Sequence, residues 1–298
     1  MRRARGSLTP DSSAASRTEI ARLENHRDFH FRRVPGRRVA GEKSALRFIN
    51  EVGFCAAFTA GLGVPCLREA IAGEREPPVP EHLQHDYAIG MTWRLKDDLP
   101  AAKSVYYGKA LGGRPSFIAL EFFPAFLRLR LEPGGYRAMY RRGVLSHCAK
   151  LVMDALSRRG PSETRALKLA SGYATAAKRI EFDRAMKELQ EKFLALKVEE
   201  RYDPFTYVWD TMEHRWGEAI REARDLSHGE AAYRIVRRHL EISAFGHERA
   251  MVRLLGIAPR RIDVAIRRLA RENRLVRTRI DGFSGEHCAL PALIAAQE

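Results

Sequence analysis

Residues 259–274 read PRRIDVAIRRLARENR, and residues 275–290 continue LVRTRIDGFSGEHCAL. On a helical wheel Ile262, Ile266, Leu269 and Asn273 gather on one side, while Arg260, Arg267, Arg271 and Arg274 fall on the other. One face can pack and the opposite face can meet an anion. Two short alternating runs follow, Leu275–Ile280 and Glu286–Leu290, joined by the turn-forming stretch Asp281-Gly282-Phe283-Ser284-Gly285. A basic helix leading straight into a basic hairpin is the ending of a winged helix-turn-helix. A lone helix of this kind reads equally well as a surface element kept soluble by its arginines. The hairpin and a second copy upstream argue against that.

The second copy is read from capping residues and periodicity. Ser146 is placed to cap a helix that runs to Arg159 and is closed by Gly160-Pro161, Ser162 begins a short helix through Leu169, and Thr175–Phe193 forms a long one. Strands Leu194–Arg201 and Phe205–Asp210 come next, turned by Asp203-Pro204. The same order recurs as helices Glu230–Ser243, Glu248–Leu255 and Pro259–Asn273 before the final hairpin. Aligning FDRAMKEL (182–189) with IDVAIRRL (262–269) matches the packed positions at an offset of 80. The copies differ in charge. Residues 251–280 hold nine arginines and two acids, against eight basic and seven acidic residues in 161–200. The second copy is therefore the one dressed to meet phosphate, and the first is expected to be a spacer or a protein contact.

Upstream of these lie two further segments. Residues 1–40, with ten arginines and four acids, are expected to be a disordered basic arm with a short helix around Arg17–Asn25. Residues 41–143 are expected to form an N-terminal helical, winged-helix-like domain. It has helices near Ala45–Gly53 and Pro65–Ala72, a loop over 74–90, a mostly helical stretch Met91–Leu111 broken at Pro100, and a short helix at Tyr136–Arg142. Residues 116–131, SFIALEFFPAFLRLRL, are its buried centre, read as a strand and then a short extended or helical piece after Pro124. Residues 144–212 and 228–298 are the two winged-helix repeats. The fold class is mainly α with small β-hairpin wings, an α+β chain of tandem winged helix-turn-helix repeats.

With 52 basic and 37 acidic residues among 298, the net charge is +15 and the pI about 10.0. Such a balance implies an anionic partner: nucleic acid, an acidic membrane or an acidic protein. The basic helix lacks an aromatic edge and leads into a hairpin, which argues against a membrane. No apolar run nears the ~20 residues of a membrane span, and the arginines at the N-terminus are followed by no secretory apolar core. The expected location is the cytoplasm, at the nucleoid in a bacterium. Cys55, Cys66, Cys148 and Cys288 lie far apart and read as small buried hydrophobes, not as a zinc ribbon or disulfide framework. Nothing in the sequence calls for a metal or a cofactor.

Several pieces taken in order resemble a known family. Gly53-Phe54, Tyr106-Tyr107-Gly108-Lys109, Phe117-Ile118-Ala119-Leu120-Glu121-Phe122-Phe123-Pro124 with Leu127-Arg128-Leu129-Arg130, and Gly160-Pro161-Ser162-Glu163-Thr164 are similar to winged-helix DNA glycosylases of the AlkZ and YcaQ type. They resemble more closely the AlkZ-related group. The resemblance implies a tandem winged-helix architecture that embraces duplex DNA and, in the enzymes, excision of alkylated or crosslinked purines. It also implies a Gln-x-Gln or Gln-x-Asp motif after the Gly-Phe pair, which activates a water against the sugar carbon. Here Ala56 and Phe58 stand at that place, and neither can orient water. The enzymes further carry a C-terminal barrel, and this chain is read as ending too soon after its last hairpin to include one.

The function expected is duplex-DNA binding without conventional glycosylase chemistry. Arg260, Arg261, Arg267, Arg268, Arg271 and Arg274 are expected at phosphates or in the groove, with Arg277 and Arg279 holding the wing on the backbone. One alternative is a glycosylase with relocated catalytic groups, for which Gln84 and Asp86 of Gln84-His85-Asp86 are the candidates. Another is a winged-helix transcriptional regulator. Asp97 and Asp98, beside Trp93 and Lys96, read as a solvated helix edge.

Overall fold

The computed structural model describes residues 15–83 and 86–294. One order of elements occurs three times among them. The first unit is helix α2 (Glu42–Val52), strand β1 (Phe54–Ala56), α3 (Leu67–Ala72), α4 (Tyr87–Ala101), β2 (Val105–Leu111) and β3 (Arg114–Ala119). The helix α1 (Arg17–Phe31) precedes it, and α5 (Phe123–Arg130) and α6 (Gly135–Arg141) follow. The second unit is α7 (His147–Arg159), β4 (Ser162–Glu163), α8 (Thr164–Ser171), α9 (Arg179–Glu191), β5 (Ala195–Tyr202) and β6 (Phe205–Thr211). After α10 (Met212–Asp225), the third unit is α11 (His228–Ser243), β7 (Phe245–Gly246), α12 (Glu248–Leu255), α13 (Pro259–Arg271), β8 (Val276–Arg279) and β9 (Glu286–Ala289), before a last turn α14 (Pro291–Ile294). Their antiparallel sheets have the orders β1-β3-β2, β4-β6-β5 and β7-β9-β8. In each the unit's last strand is central, flanked by the hairpin partner and by a strand of two or three residues. This is the α+β, winged-helix type of fold.

The local chemistry accounts for the element ends. Ser146 and Ser227 accept the amides of Ala149 and Glu230 as N-caps, and Pro259 opens α13, where its missing N–H costs nothing. Asn273, expected on the packed side of α13, instead takes a left-handed φ of 55° just past the helix end and is exposed. Ser162 does not cap a helix. It lies in β4, paired with Trp209, and α8 starts at Thr164.

Three expectations for the N-terminal part change. The stretch 87–111, read as loop and then helix, is the helix α4 followed by strand β2, with Pro100 in the last turn of α4. Both ends of β2 are buried and its middle is half-buried, so it shows no alternation to read. Pro124 stands in the first turn of α5 and starts that helix. Within the stretch read as a disordered arm, α1 is well formed: Ser16 and Glu19 make a capping box, and Leu23 and Phe31 are buried. Residues 1–14 lie outside the described residues.

The first and third units share one apolar core, which includes Phe54, Phe126, Ile235, Ile266 and Leu269, while the second unit has its own around Leu156, Phe182 and Leu189. Arg130 joins all three. Its guanidinium donates to Ala110 O and Leu255 O at 3.0 Å each and lies over the Phe193 ring at 4.8 Å. Burial pushes its pKa down to about 10, which leaves it charged at neutral pH. Helix α1 is tied to the third unit. Arg27 donates to Ser243 O and Phe245 O and lies over the Phe245 ring at 3.9 Å, and the Ala15 amide donates to Arg279 O.

Candidate nucleic-acid interface

Helix α13 buries Ile262, Ala265, Ile266 and Leu269 against α11 and turns its arginines outward. Packing fixes which face is free, and the acids on neighbouring elements then divide the arginines into two sets. Arg267 pairs with Asp263 at 2.9 Å. Arg268 bridges Glu230 at 2.8 Å and Glu272 at 3.0 Å, with its guanidinium 3.6 Å above the Tyr233 ring. Arg274 lies 3.6 Å from Glu272 and 3.8 Å from Glu241, and Arg277 lies 3.0 Å from Glu286 and 3.6 Å from Glu248. These four largely hold the unit together.

Arg260, Arg261, Arg271 and Arg279 make no ion pair among the described residues, and all but the half-buried Arg261 are exposed. Two arginines not anticipated as site residues share that property. Arg249 and Arg253 of α12 are exposed and line an open groove with Pro259 and Arg277. Their i, i+4 spacing, opposite the buried Met251 and Leu255, is a readable signal. Arg128 of α5 and Arg261 both lower the pKa of His228, after its own burial, so positive charge also gathers at the N-terminal end of α11.

At the place marked by the family resemblance, Ala56 is fully buried in β1, opposite Ser116 of β3, and its amide donates to Pro65 O at 2.9 Å. Phe58 lies half-buried beside Trp93, with ring centroids 5.5 Å apart. Gln84 lies outside the described residues. Asp86 is the N-cap of α4, its Oδ1 accepting the Ile89 amide at 2.6 Å.

Near Trp93 a buried ionic cluster joins the first and second units. Lys96, which lies 4.6 Å from the centre of the Trp93 ring, reaches Asp97 at 2.8 Å and Glu200 of β5 at 2.7 Å. Lys197 also contacts Glu200, and the Tyr202 hydroxyl donates to Asp97 at 2.9 Å. Burial, and then the Lys96 ammonium, lower the Lys197 pKa to about 8. The expectation of a solvated helix edge therefore fits Asp98, which faces Arg94 at 3.9 Å, and not Lys96 or Asp97. All four cysteines are free and buried, with thiol pKa values raised first by burial. Among the described residues no helix is long and apolar enough to cross a membrane.

No curated protein matches the chain. Among solved structures, the DNA glycosylase AlkZ of Streptomyces sahachiroi is similar, with a TM-score of 0.58 and 13% identity over 94% of this chain and 71% of that one. At that identity the likeness is one of fold. The model of the AlkZ-related family matches residues 39–256, from just before α2 to the end of α12, and the chain belongs to that family.

Proposed function

We propose that this protein binds duplex DNA through the third unit, as a relative of DNA repair glycosylases that has lost their conventional water-activating pair. The observation that carries the reading is the set of six arginines, at 249, 253, 260, 261, 271 and 279 on α12, α13 and β8, left without carboxylate partners among the described residues. A folded protein gains little stability from unpaired surface cations, whereas phosphates neutralise them with release of counterions. The AlkZ neighbour is a DNA glycosylase, which supports DNA as the partner class. The loss of conventional chemistry rests on Ala56 and Phe58, whose side chains offer no lone pair or proton to a water. We further propose that the units act as tandem winged-helix modules, that the second is mainly a spacer, and that the protein works in the cytoplasm on DNA.

Fluorescence anisotropy on an undamaged duplex at several salt concentrations tests this reading. Six phosphate contacts give a log–log slope of about −5, and a slope near zero removes its electrostatic basis. A glycosylase with relocated groups is favoured by the Lys96, Asp97, Lys197 and Glu200 cluster more than by Asp86, whose carboxylate already caps α4. Release of a modified base from duplex DNA would establish that second reading.

A further inference from the structure

A second groove, of about 900 Å³, is lined by α1, the loop at 61–63, α12 and the 281–285 turn. Pockets for one drug-sized molecule measure ~300–1,000 Å³, so this one has room for a short run of nucleotides and not for a duplex. Five arginines and two glutamates line it, which gives it the field of an anion site. Arg27, Arg33 and Arg75 are already engaged by Glu24, Glu69 and Asp28. Arg249 and Arg253 have no carboxylate partner among the described residues, and they border this groove and the one beside Pro259 alike.

Aromatic rings share the wall with these cations. Phe283, in the turn, is 45% exposed. Its ring is held edge-on against Phe245 at 5.1 Å and His287 at 5.8 Å, and the His247 ring lies 5.3 Å from that of His287. Phe245 is fixed in turn by the Arg27 guanidinium, 3.9 Å from its ring centre. Burial lowers the pKa of His287, so at neutral pH it meets the groove as an uncharged ring. A half-exposed ring held by its neighbours loses little freedom when a base stacks on it. Free cations beside stacking rings suit an unpaired strand, whose phosphates take the cations and whose bases take the rings whatever their sequence. Inside an intact duplex the faces of a base are covered by its neighbours, and these rings have nothing to stack on.

We propose that this groove binds single-stranded DNA, and that the protein thereby holds junctions at which one strand leaves a duplex. The inference rests on DNA as the partner. It adds to the duplex face on α13 a path for the separated strand, with α12 common to both. Phe283 and His247 supply stacking, and Arg249 and Arg253 supply phosphate contacts. An acidic peptide, by contrast, uses the arginines alone and leaves the rings idle.

The test uses the full chain and the anisotropy of oligothymidylate, of a blunt duplex, and of the same duplex with a single-stranded thymidine tail. Wild-type protein is expected to bind oligothymidylate saturably, and the tailed duplex about tenfold more tightly than the blunt one. Phe283→Ala and His247→Asn, each checked by thermal melting for an unchanged fold, are expected to remove most of that gain and keep wild-type affinity for the blunt duplex. Asparagine at 247 can still accept the Arg249 amide that His247 Nδ1 accepts, so the start of α12 stays capped. Intact binding of the blunt duplex with no gain from the tail overturns the inference and leaves the DNA reading standing. A gain unchanged in both variants also overturns it, because the strand then lies elsewhere. Poly-glutamate that displaces labelled oligothymidylate as well as unlabelled oligothymidylate does, at equal charge, overturns it in favour of an acidic protein partner. Binding of oligothymidylate that both variants weaken, without any affinity for blunt duplex, supports the groove and overturns the duplex reading instead.

Discussion

Replacing Arg260, Arg261, Arg271 and Arg279 together with alanine separates a DNA interface from a merely basic surface. Each phosphate neutralised on B-DNA contributes about 0.9 to the slope of log K against log salt. Six unpartnered arginines give a slope of about −5, which between 50 and 200 mM salt amounts to an affinity loss of about 1000-fold. With Arg249 and Arg253 alone remaining, the slope falls to about −2 and the same change of salt costs about tenfold. The control is Arg274→Ala, whose charge is already shared between Glu241 and Glu272, so its slope should stay within experimental error of wild type. Arg268→Ala should likewise keep the slope, but it should melt at lower temperature because Glu230, Glu272 and the Tyr233 ring lose their common partner. Anisotropy titrations of a fluorescent duplex at four or more salt concentrations measure all of these. An Arg274→Ala slope reduced as much as that of Arg271→Ala, or a quadruple variant with the wild-type slope, would refute the division of the arginines into two sets.

Other consequences concern the frame that holds this surface. Glu200→Gln leaves the Lys96 and Lys197 ammoniums facing Asp97 alone, and since Lys96 and Glu200 side chains are each 3% exposed, it should cost about 3–5 kcal/mol in urea unfolding; a loss below about 1 kcal/mol would mean the pair is effectively solvated. Arg130→Met should lower stability by several kcal/mol, on the order of 3, by stripping Ala110 O and Leu255 O of their shared donor, and unfolding with unchanged midpoint would contradict that joint. His239, 4% exposed, has its pKa pushed down to about 3, first by burial and then by Arg27. The folded state keeps it neutral while the unfolded chain protonates it near pH 6.5. Its stability is therefore complete above pH 6.5 and falls by about 1.4 kcal/mol per unit as pH drops toward 3. Relative to His239→Asn, wild type should lose about 2 kcal/mol more between pH 6.5 and 5, and parallel curves would show that the imidazole is not held neutral.

Much of the third unit was legible because its signals are local. The period of Ile262, Ile266 and Leu269, Pro259 at the start, and the glycines of the 281–285 turn all act within a few residues of each other. The second unit was readable on the same grounds. That residues 41–143 follow the same order of elements was read only as far as a helical, winged-helix-like domain, without β1 and β2. Strands β1, β4 and β7 have two or three residues, too few to carry a period, and β2 has two buried ends in place of an alternating face. Helix α1 was underestimated because its apolar content is small and it is held in part by His26 and Arg27 reaching the carbonyls of Glu241 and Ser243 at the end of α11 and of Phe245 in β7.

The site shows the same division between local and distant information. That arginines face outward on α13 follows from helical spacing. That Arg268 is held by Glu230 depends on a contact across 38 residues, and the Lys96 to Glu200 pair closes across 104. Asp86, singled out for chemistry, proves to satisfy a helix N-terminus, the commoner use of an aspartate before a helical run.

The central claim is that this chain holds duplex DNA without the family's conventional base excision. Its most direct measurement incubates the protein, under single-turnover conditions, with one undamaged duplex and the same duplex carrying an alkylated purine, following anisotropy and then resolving any released base. Salt-sensitive binding to both duplexes with no base released is the predicted result; release of the alkylated purine would contradict the reading of Ala56 and Phe58.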